Sequence, residues 1–316
     1  MLIYIAALGI GFLLLMWSAN TFADNALLLG QHLNLSKILI GIVILGFGTS
    51  APELLVSAIS SWQGNPGLAI GNALGSNITN ILLVLGATLC ILVIKIDANQ
   101  IRNNFLILFG ATVLFSILIL DQELNFTDGI ILLFALLLSL YLLTCFESKT
   151  ETTADDAEPT INKTLSIVIS GVLLGLTALL ISSKLVVWSA TEIAQQLGVS
   201  DLIIGLTIVA LGTSLPELAT CVASAMKKHS ELALGNIVGS NIFNTLGVTA
   251  TASLITSYKL PNQIFSRDYP VMLIATGVLF LLVMLFSRKK FIPRIFGLLF
   301  IIAYIIYMYM IYIQNQ

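Results

Sequence analysis

A six-residue motif, Gly-Thr-Ser-x-Pro-Glu, occurs twice in this chain, at 48–53 and at 212–217. Each copy lies inside a long apolar run, where an acid is unexpected and a proline cannot continue a regular helix. The same offset (217 − 53 = 164) aligns residues 41–86 with 205–250 without gaps, at 20 identities in 46 positions. The identities concentrate on Gly, Pro, Ser, Asn and Glu, so a shared apolar composition does not explain them. The chain therefore contains two copies of one structural unit.

The composition sets the class of protein. Of the 316 residues, 58% are hydrophobic and only 9% are charged, whereas soluble domains carry about 25% charged residues. Apolar runs recur that are long enough to cross a bilayer, which takes about 18 or more residues. A membrane β-barrel would instead show short segments of alternating polarity. There is no basic stripe with interleaved aromatic residues, so nucleic acid is excluded as a partner. These observations predict an all-α polytopic membrane protein.

The apolar runs predict ten membrane-spanning helices, five in each half of the chain. An acidic stretch at 146–163 separates the halves 1–145 and 164–316 and is predicted to be a solvated, poorly ordered linker. The approximate limits of the ten predicted spans are 1–19, 36–61, 67–94, 104–120, 127–145, 164–187, 199–226, 231–257, 269–287 and 291–312.

Five spans is an odd number, so the second half is predicted to be inverted relative to the first. The loops on one side of the predicted topology carry eleven of the fourteen Lys and Arg residues. Because cytoplasmic loops are enriched in these residues, the linker is predicted to be cytoplasmic and both termini to lie outside the cell (inner) membrane. Inverted repeats with helices broken at the membrane midplane are typical of secondary transporters.

Two glutamates are exceptional among the sixteen acidic residues. Only Glu53 and Glu217 lie deep within predicted spans, where a charge costs about 2.5–3.5 kcal/mol on insertion scales. No Lys or Arg is placed to pair with either of them. A mobile cation or a proton is therefore the predicted counter-charge. The alternative is a protonated glutamate that is hydrogen-bonded to a neighbouring helix.

The prolines of the two motifs predict a helix break beside each acid. Pro52 and Pro216 each lack a backbone donor, so carbonyl groups near Gly48 and Gly212 lose their helical partner. Such groups are tolerated at membrane depth only where they face protein or a water-filled cavity. The freed carbonyls, together with the Thr, Ser and Glu side chains of each motif, are candidate ligands for hard cations.

A second motif, Gly-Asn-x-x-Gly-Ser-Asn-Ile-x-Asn, follows each of the first, at 71–80 and 235–244. Its glycines are predicted to permit close helix approach. Ser76 and Asn80 are four residues apart, so they share a helix face. Four polar residues of this motif are predicted to be ion ligands, with interhelical hydrogen bonding as the alternative: Ser76, Asn80, Ser240 and Asn244.

The predicted ligands are all oxygen or amide groups, with no thiolate and no imidazole. Such a set suits Ca²⁺, which takes 6–8 oxygen ligands, and also alkali cations. Two carboxylates balance the charge of one Ca²⁺. Alternatively, Na⁺ ions or protons can balance the negative charge of the two carboxylates. Because these occupants exclude one another, a single site of this kind is a physical basis for antiport.

The two motifs, repeated in both halves, resemble the α-repeats of the sodium/calcium exchanger superfamily, and the length and ten spans are similar to its prokaryotic calcium/sodium antiporters. The resemblance implies an ion site formed by the second, third, seventh and eighth helices, against which the first and sixth slide. It implies that Glu53 and Glu217 bind Ca²⁺ directly and that their neighbours build separate Na⁺ sites. The implied ligands are Thr49, Ser50, Glu53, Ser76, Asn80, Thr213, Ser214, Glu217, Ser240 and Asn244, with backbone carbonyls near Gly46 and Ala210.

One position narrows what the resemblance implies. Some members of the superfamily carry Asp where this chain has Asn244. The Asn removes one potential negative charge, which fits a potassium-independent exchanger. The number of Na⁺ ions per Ca²⁺ stays open. The expected function is Ca²⁺/Na⁺ antiport, with Ca²⁺, Na⁺ and the lipid bilayer as partners and with no cofactor and no obligate protein partner. An H⁺-coupled antiporter and a cation channel remain as alternatives, and an intramembrane enzyme is disfavoured because no nucleophile–base pair is present.

Overall fold

The computed structural model describes residues 1–95, 98–146, 163–198, 210–286 and 291–314. Most of the predicted linker, 147–162, lies outside these ranges. Among the described residues, the first half forms six helices: α1 (Leu2–His32), α2 (Lys37–Thr49), α3 (Ala51–Trp62), α4 (Pro66–Ile91), α5 (Ala98–Leu118) and α6 (Phe126–Cys145). The second half forms six more: α7 (Leu165–Gln196), α8 (Ala210–Thr213), α9 (Leu215–Met226), α10 (the consecutive segments Ser230–Ile242, Phe243–Val248 and Thr249–Ile255), α11 (Ile264–Phe286) and α12 (Ile295–Gln314).

Several of these helices have the length and composition of membrane spans. Six described helices are long and apolar enough to cross a bilayer, and a seventh span results if α2 and α3, bent by 40° at their junction, are counted as one. α9 is apolar but shorter. The surface carries many exposed Leu, Ile and Phe side chains, as expected where lipid is the solvent. The predicted helical membrane fold is confirmed at this level.

The predicted ends of the first and sixth spans are wrong, because both helices are longer. α1 continues to His32 and α7 to Gln196. Polar side chains in the added part of α1 do not stop the helix, since they bond to its own carbonyl groups. The side chains of Asn20, Thr21 and Asn25 each donate to the carbonyl four residues earlier, at 2.7–2.9 Å. Packing of α1 along α7 supports both helices over their length.

The contacts between α1 and α7 are related by the offset of the sequence repeat. A Cβ placed on Gly11 would lie 3.3 Å from the backbone N of Val186, and one placed on Gly175 would lie 2.7 Å from the backbone N of Phe22. Both pairs of equivalent positions are 164 residues apart (175 − 11 and 186 − 22). The glycines therefore allow the two helices to approach closely through matching contacts, one from each half.

Two short antiparallel ribbons also join the halves. β1 (Ile94–Lys95) pairs with β4 (Phe291–Ile292), and β2 (Glu123–Leu124) pairs with β3 (Tyr258–Lys259). β1 and β3 begin 164 residues apart (258 − 94), and β2 and β4 begin 168 apart (291 − 123). Each ribbon thus takes one strand from each half.

The core lies around α4 and α10. Every residue from Leu232 to Ala250 in α10 is buried, and α4 is the most enclosed of the span-length helices. The broken pairs α2–α3 and α8–α9 pack against these two helices. The fold thereby brings the four copies of the sequence motifs into the centre of the molecule.

Candidate cation site

Each Gly-Thr-Ser-x-Pro-Glu motif lies across a helix break, as predicted. α2 ends at Thr49 and α3 begins at Ala51, with Ser50 between them at φ −85° and ψ 2°. Ser214 separates α8 from α9 in the same way, at φ −92° and ψ 6°. In both copies the proline falls in the first turn of the following helix, where no intrahelical donor is lost. The break therefore removes the conflict that a mid-helix proline would create.

One freed carbonyl has a side-chain donor that the sequence did not reveal. The Ser183 hydroxyl of α7 donates to the Gly212 carbonyl oxygen at 3.1 Å. The equivalent of Ser183 in the first half is Ala19 (183 − 164), which has no donor to offer Gly48. The two breaks are thus supported differently by the helices around them.

The two glutamates of the motifs are fully buried. The Ser76 hydroxyl donates to Oε1 of Glu53 at 3.4 Å, and the Ser50 hydroxyl donates to Oε1 of Glu217 at 3.3 Å. The bond from Ser50 thus brings the carboxyl group of the second motif against the first motif. The remaining oxygen of each glutamate, Oε2, is buried without a hydrogen-bond partner among the described residues. Each carboxylate therefore has one oxygen available to a ligand.

Thr49 connects the first motif to α10. Its hydroxyl donates to the Leu45 carbonyl at 2.9 Å and to Oδ1 of Asn236 at 3.2 Å, and it lies 3.3 Å from the Ser240 hydroxyl. Ser240 in turn donates to the Gly46 carbonyl at 3.3 Å. Three predicted ligands from two repeats, including the carbonyl at position 46, are thus brought together.

The asparagines of the second motif supply further polar atoms without partners. Asn80 donates from Nδ2 to Oδ1 of Asn241 at 3.3 Å, but its own Oδ1 is unpaired among the described residues. Both amide atoms of Asn244 and the hydroxyl of Ser214 are likewise buried and unpaired within the described part of the chain. Because buried polar groups are normally hydrogen-bonded, such a cluster indicates a place for a ligand.

The remaining predicted ligands are less tightly enclosed. Thr213 is half-buried, whereas its counterpart Thr49 is completely buried. Ala210 is the first described residue of α8, and no described contact tests its carbonyl as a ligand.

Three asparagines at the site were missed as candidates. Asn236 accepts from Thr49, Asn241 accepts from Asn80, and Asn77 donates to the Thr245 hydroxyl at 2.8 Å. The available signal was their recurrence at the 164-residue offset, which relates Asn77 to Asn241.

The chemistry of the cluster suits a hard cation as cargo. The described residues contain no group of three or more His, Cys, Asp or Glu side chains that could hold a metal. Nor does any described Lys or Arg form an ion pair with Glu53 or Glu217. What remains is a pair of carboxylates among hydroxyl, amide and carbonyl oxygens. That set favours Ca²⁺ or alkali cations over softer transition metals.

The family model described as "Sodium/calcium exchanger protein" matches residues 3–145 and again residues 167–313. The chain belongs to the sodium/calcium exchanger family. It is accordingly an integral membrane transporter of the cation antiporter type and not an enzyme. The resemblance inferred from the two motifs is confirmed.

Individual relatives match over nearly their whole length. A candidate antiporter of Alkalimonas amylolytica, CaxA, is 40% identical over 96% of this chain and 97% of its own. The inner membrane protein YrbG of Escherichia coli (strain K12) is 33% identical, with 99% and 98% covered. A solved structure of the sodium-calcium exchanger NCX_Mj, soaked with zero Na⁺ and Ca²⁺, has a TM-score of 0.84 and 32% identity, covering 97% of this chain and 98% of that one.

Proposed function

We propose that this protein exchanges Ca²⁺ for Na⁺ across the membrane by alternating access, with Glu53 and Glu217 binding Ca²⁺ directly. The observation that carries the proposal is the pair of unpartnered, fully buried Oε2 atoms. An ionised carboxylate buried without a counter-charge is strongly disfavoured. Two of them in one cluster balance the charge of one Ca²⁺, and the sodium/calcium exchangers among the relatives carry that cation in their names.

The hydroxyl and carbonyl groups beside the carboxylates are the proposed Na⁺ ligands. Thr49, Ser240 and the Gly46 carbonyl form one such group. Ser50, Ser76, Asn80, Thr213, Ser214, Asn244 and the Ala210 carbonyl complete the proposed ligand set. Na⁺ bound next to a carboxylate neutralises the charge that Ca²⁺ would otherwise neutralise. Occupation by Na⁺ and by Ca²⁺ is therefore competitive, and this competition couples the two flows.

The proposed architecture is ten spans in two inverted five-helix halves, 1–145 and 164–316. It is supported by the equivalent contacts between α1 and α7 and by the two ribbons, each of which takes one strand from each half. We further propose that the protein lies in the inner membrane, with both termini outside and the 146–163 linker in the cytoplasm. This orientation can be tested in intact cells with an impermeant maleimide and variants that carry a single cysteine, either at the C-terminus or in the linker. Labelling of the linker cysteine alone would reverse the proposed orientation.

Transport in proteoliposomes tests the function directly. Vesicles loaded with Na⁺ and diluted into Na⁺-free buffer should accumulate radiolabelled Ca²⁺, whereas vesicles with equal Na⁺ on both sides should not. Glu53→Gln and Glu217→Gln should each abolish uptake. The matched control is Glu123→Gln, which changes an exposed acid paired with Lys259 at 3.1 Å and should leave uptake unchanged. Absence of Na⁺-driven uptake, or full activity of either buried variant, would overturn the proposal.

Coupling to protons is the second candidate, and the same two carboxylates favour it. A buried carboxyl group readily binds a proton because burial disfavours its charged form. Replacing the Na⁺ gradient by a pH gradient distinguishes the two coupling ions. Ca²⁺ uptake driven only by the pH gradient would assign the protein as an H⁺-coupled antiporter, and Ca²⁺ flux at rates far above those of carriers would assign it as a channel.

A further inference from the structure

A cleft of about 380 Å³ lies between α5 and α6, away from the cation site. Ser139 and Asn103 are the only polar side chains in its lining, which is otherwise aliphatic, glycine or aromatic. No hydrogen bond joins the two helices across it among residues 102–118 and 126–145. The lining residues are Asn103, Leu106, Ile107, Gly110, Ala111, Leu114, Ala135, Leu138, Ser139, Leu142 and Phe146.

The repeat provides an internal comparison for this cleft, because α11 and α12 are the counterparts of α5 and α6. Matching contacts fix the correspondence of α6 with α12. A Cβ on Gly129 of α6 would lie 3.0 Å from the backbone N of Leu254, and one on Gly297 of α12 would lie 3.0 Å from the backbone N of Cys90. The contacted residues are 164 apart (254 − 90), and the glycines are 168 apart (297 − 129). Positions in α6 and α12 therefore correspond at an offset of 168.

The counterpart of the cleft is bridged by side chains. Ser139 corresponds to Tyr307 (139 + 168), whose hydroxyl donates to Oδ1 of the buried Asp268 in α11 at 2.9 Å. Arg267 of α11 donates from Nη1 to Oε1 of Gln314 in α12 at 3.1 Å. Side-chain hydrogen bonds thus join α11 to α12. At the equivalent place between α5 and α6, the smaller Ser139 makes no such bond to a described residue.

A second position in the lining, Gly110, also differs from its counterpart. At the 164-residue offset that relates Thr112 to Thr276, Gly110 of α5 corresponds to Ile274 of α11. A Cβ on Gly110 would have no described atom within 4 Å. The replacement of Tyr by Ser therefore leaves a volume between α5 and α6 that the buried Tyr307 side chain occupies between α11 and α12, and Gly110 adds no side chain to that volume.

We propose that this cleft binds one acyl chain of an anionic phospholipid, with the phosphate at Arg102. The lining of α5 runs from Asn103 to Leu114, which is about 17 Å along the helix at about 1.5 Å per residue. One leaflet of the hydrocarbon core is about 15 Å thick, half of roughly 30 Å. The cleft is therefore about as long as one leaflet is deep, and its wall is apolar over that depth.

The polar end of the cleft suits a headgroup. Arg102 is exposed next to Asn103, at the end of the cleft that Phe146 also lines. A guanidinium group recognises phosphate through paired hydrogen bonds, and anionic lipids attract basic residues at the membrane surface. An acyl chain below and a phosphate above account for the apolar wall and the charged rim together.

Native mass spectrometry of the purified full-length protein, titrated with palmitoyl-oleoyl-phosphatidylglycerol, tests the proposal. The wild-type protein should retain one lipid that survives stepwise removal of the others. Gly110→Ile, which introduces the residue found in α11, should weaken this binding by about tenfold or more, as expected when roughly two methylene groups are excluded from an apolar site. Arg102→Gln should bring the affinity for phosphatidylglycerol down to that for phosphatidylcholine.

The matched control is Gly9→Ile in α1, another exposed helical glycine with no described atom within 4 Å of its Cβ. It should retain the lipid as the wild type does. Equal retention by Gly110→Ile and the wild type, or equal loss in both glycine variants, would overturn the proposal. So would a tightly bound second copy of the chain in place of lipid. The thermal midpoint of each variant with and without the lipid gives a second readout, and the stabilisation by lipid should be lost in Gly110→Ile alone.

Discussion

The two repeats share their motifs but not their contacts. α2 of the first repeat packs on α10 of the second through glycines, because a Cβ on Gly46 would lie 2.9 Å from Cα of Gly239, and a Cβ on Gly239 would in turn meet the backbone of Ile42. In the reciprocal contact, between the second repeat and α4 of the first, the equivalent glycines are Gly71 and Gly75. A Cβ on either would have no described atom within 4 Å, and the segment equivalent to the one that faces α10 lies almost entirely within 199–209, outside the described residues. The predicted close helix approach is therefore confirmed for α10 and stays a prediction for α4.

The hydroxyl groups of the site repeat this difference. Ser240 bonds to Gly46 and lies beside Thr49 of the other repeat, whereas its counterpart Ser76 bonds to Glu53 of its own repeat. Equivalent motif residues therefore have two sets of partners in one molecule. If the protein works by alternating access, we expect Ser76 to adopt the contacts of Ser240 when the opposite side opens.

The largest expected effect concerns the two carboxylates, which should be equally necessary despite their different partners. Glu53→Gln and Glu217→Gln should each lower Na⁺-driven Ca²⁺ uptake at limiting Ca²⁺ by at least about thirtyfold, because truncating one member of a buried charge contact costs roughly 2–5 kcal/mol. Initial rates in proteoliposomes over a range of Ca²⁺ concentrations measure this. A large loss in only one variant would restrict Ca²⁺ binding to one repeat.

The glycine contacts predict opposite effects of one substitution at equivalent positions. Gly239→Ala should destabilise the protein by about 1–3 kcal/mol, because its Cβ would force α10 away from the Ile42 backbone. Gly75→Ala should be neutral or stabilising by up to about 1 kcal/mol, the gain in helix propensity. Thermal midpoints of the two purified variants, compared with the wild type, measure the difference.

The rate of Ca²⁺ exchange by Gly75→Ala tests whether α4 packs closely during transport. If α4 must pack closely in the opposite state, this variant should exchange Ca²⁺ more slowly although its thermal midpoint is unchanged or higher. Wild-type exchange by Gly75→Ala would show that α4 does not adopt the close packing of α10 during transport. Equal thermal shifts for Gly75→Ala and Gly239→Ala would show that α4 already packs as closely as α10.

A smaller effect is expected at the break in the second repeat. Ser183→Ala removes the donor to the Gly212 carbonyl and should cost about 1 kcal/mol, the usual net value of one hydrogen bond. Ser189→Ala on the same helix is the control, because the only described partners of Ser189 are carbonyl groups of its own helix, those of Leu185 and Val186. Denaturation midpoints of both variants test this, and equal midpoints would remove the proposed support of the break by α7.

The smallest effect is expected at a surface ion pair that exists on one side only. Lys227 at the end of α9 contacts Asp24 of α1 at 2.6 Å, with both side chains partly exposed. The equivalent positions carry Gln63 and Trp188, which cannot form an ion pair. Asp24→Asn should change the thermal midpoint by the equivalent of less than about 1 kcal/mol, and the change should shrink further in high salt. A larger, salt-independent shift would contradict a surface interaction.

Much of the fold and site followed from local patterns. The long apolar runs predicted membrane helices, and the prolines predicted the two breaks, because both effects depend on chain chemistry over a few turns. The span ends were less predictable. α1 and α7 extend through polar residues because their side chains bond to their own helix and because the two helices pack together. The hydropathy of the sequence reports neither these hydrogen bonds nor the packing of the two helices.

The missed residues have a common cause. Asn236, Asn241 and Ser183 act through contacts with residues far away in the chain. Sequence periodicity places a side chain on a helix face, but it does not say which helix lies opposite. Asn236 and Asn241 were members of the recognised motif, yet the packing that directs them to Thr49 and Asn80 depends on the arrangement of all the site helices.

The sequence by itself determined the membrane class, the duplicated motifs and the two acids without a basic partner. These properties are local, since the cost of a charge in an apolar run and the effect of a proline on a helix do not depend on distant residues. Tertiary structure alone decided that the equivalent motifs have different neighbours and that one seam between helices is bridged while its counterpart holds a cleft. Packing must satisfy the whole chain at once, so two segments that share a motif but have different surroundings need not adopt the same contacts.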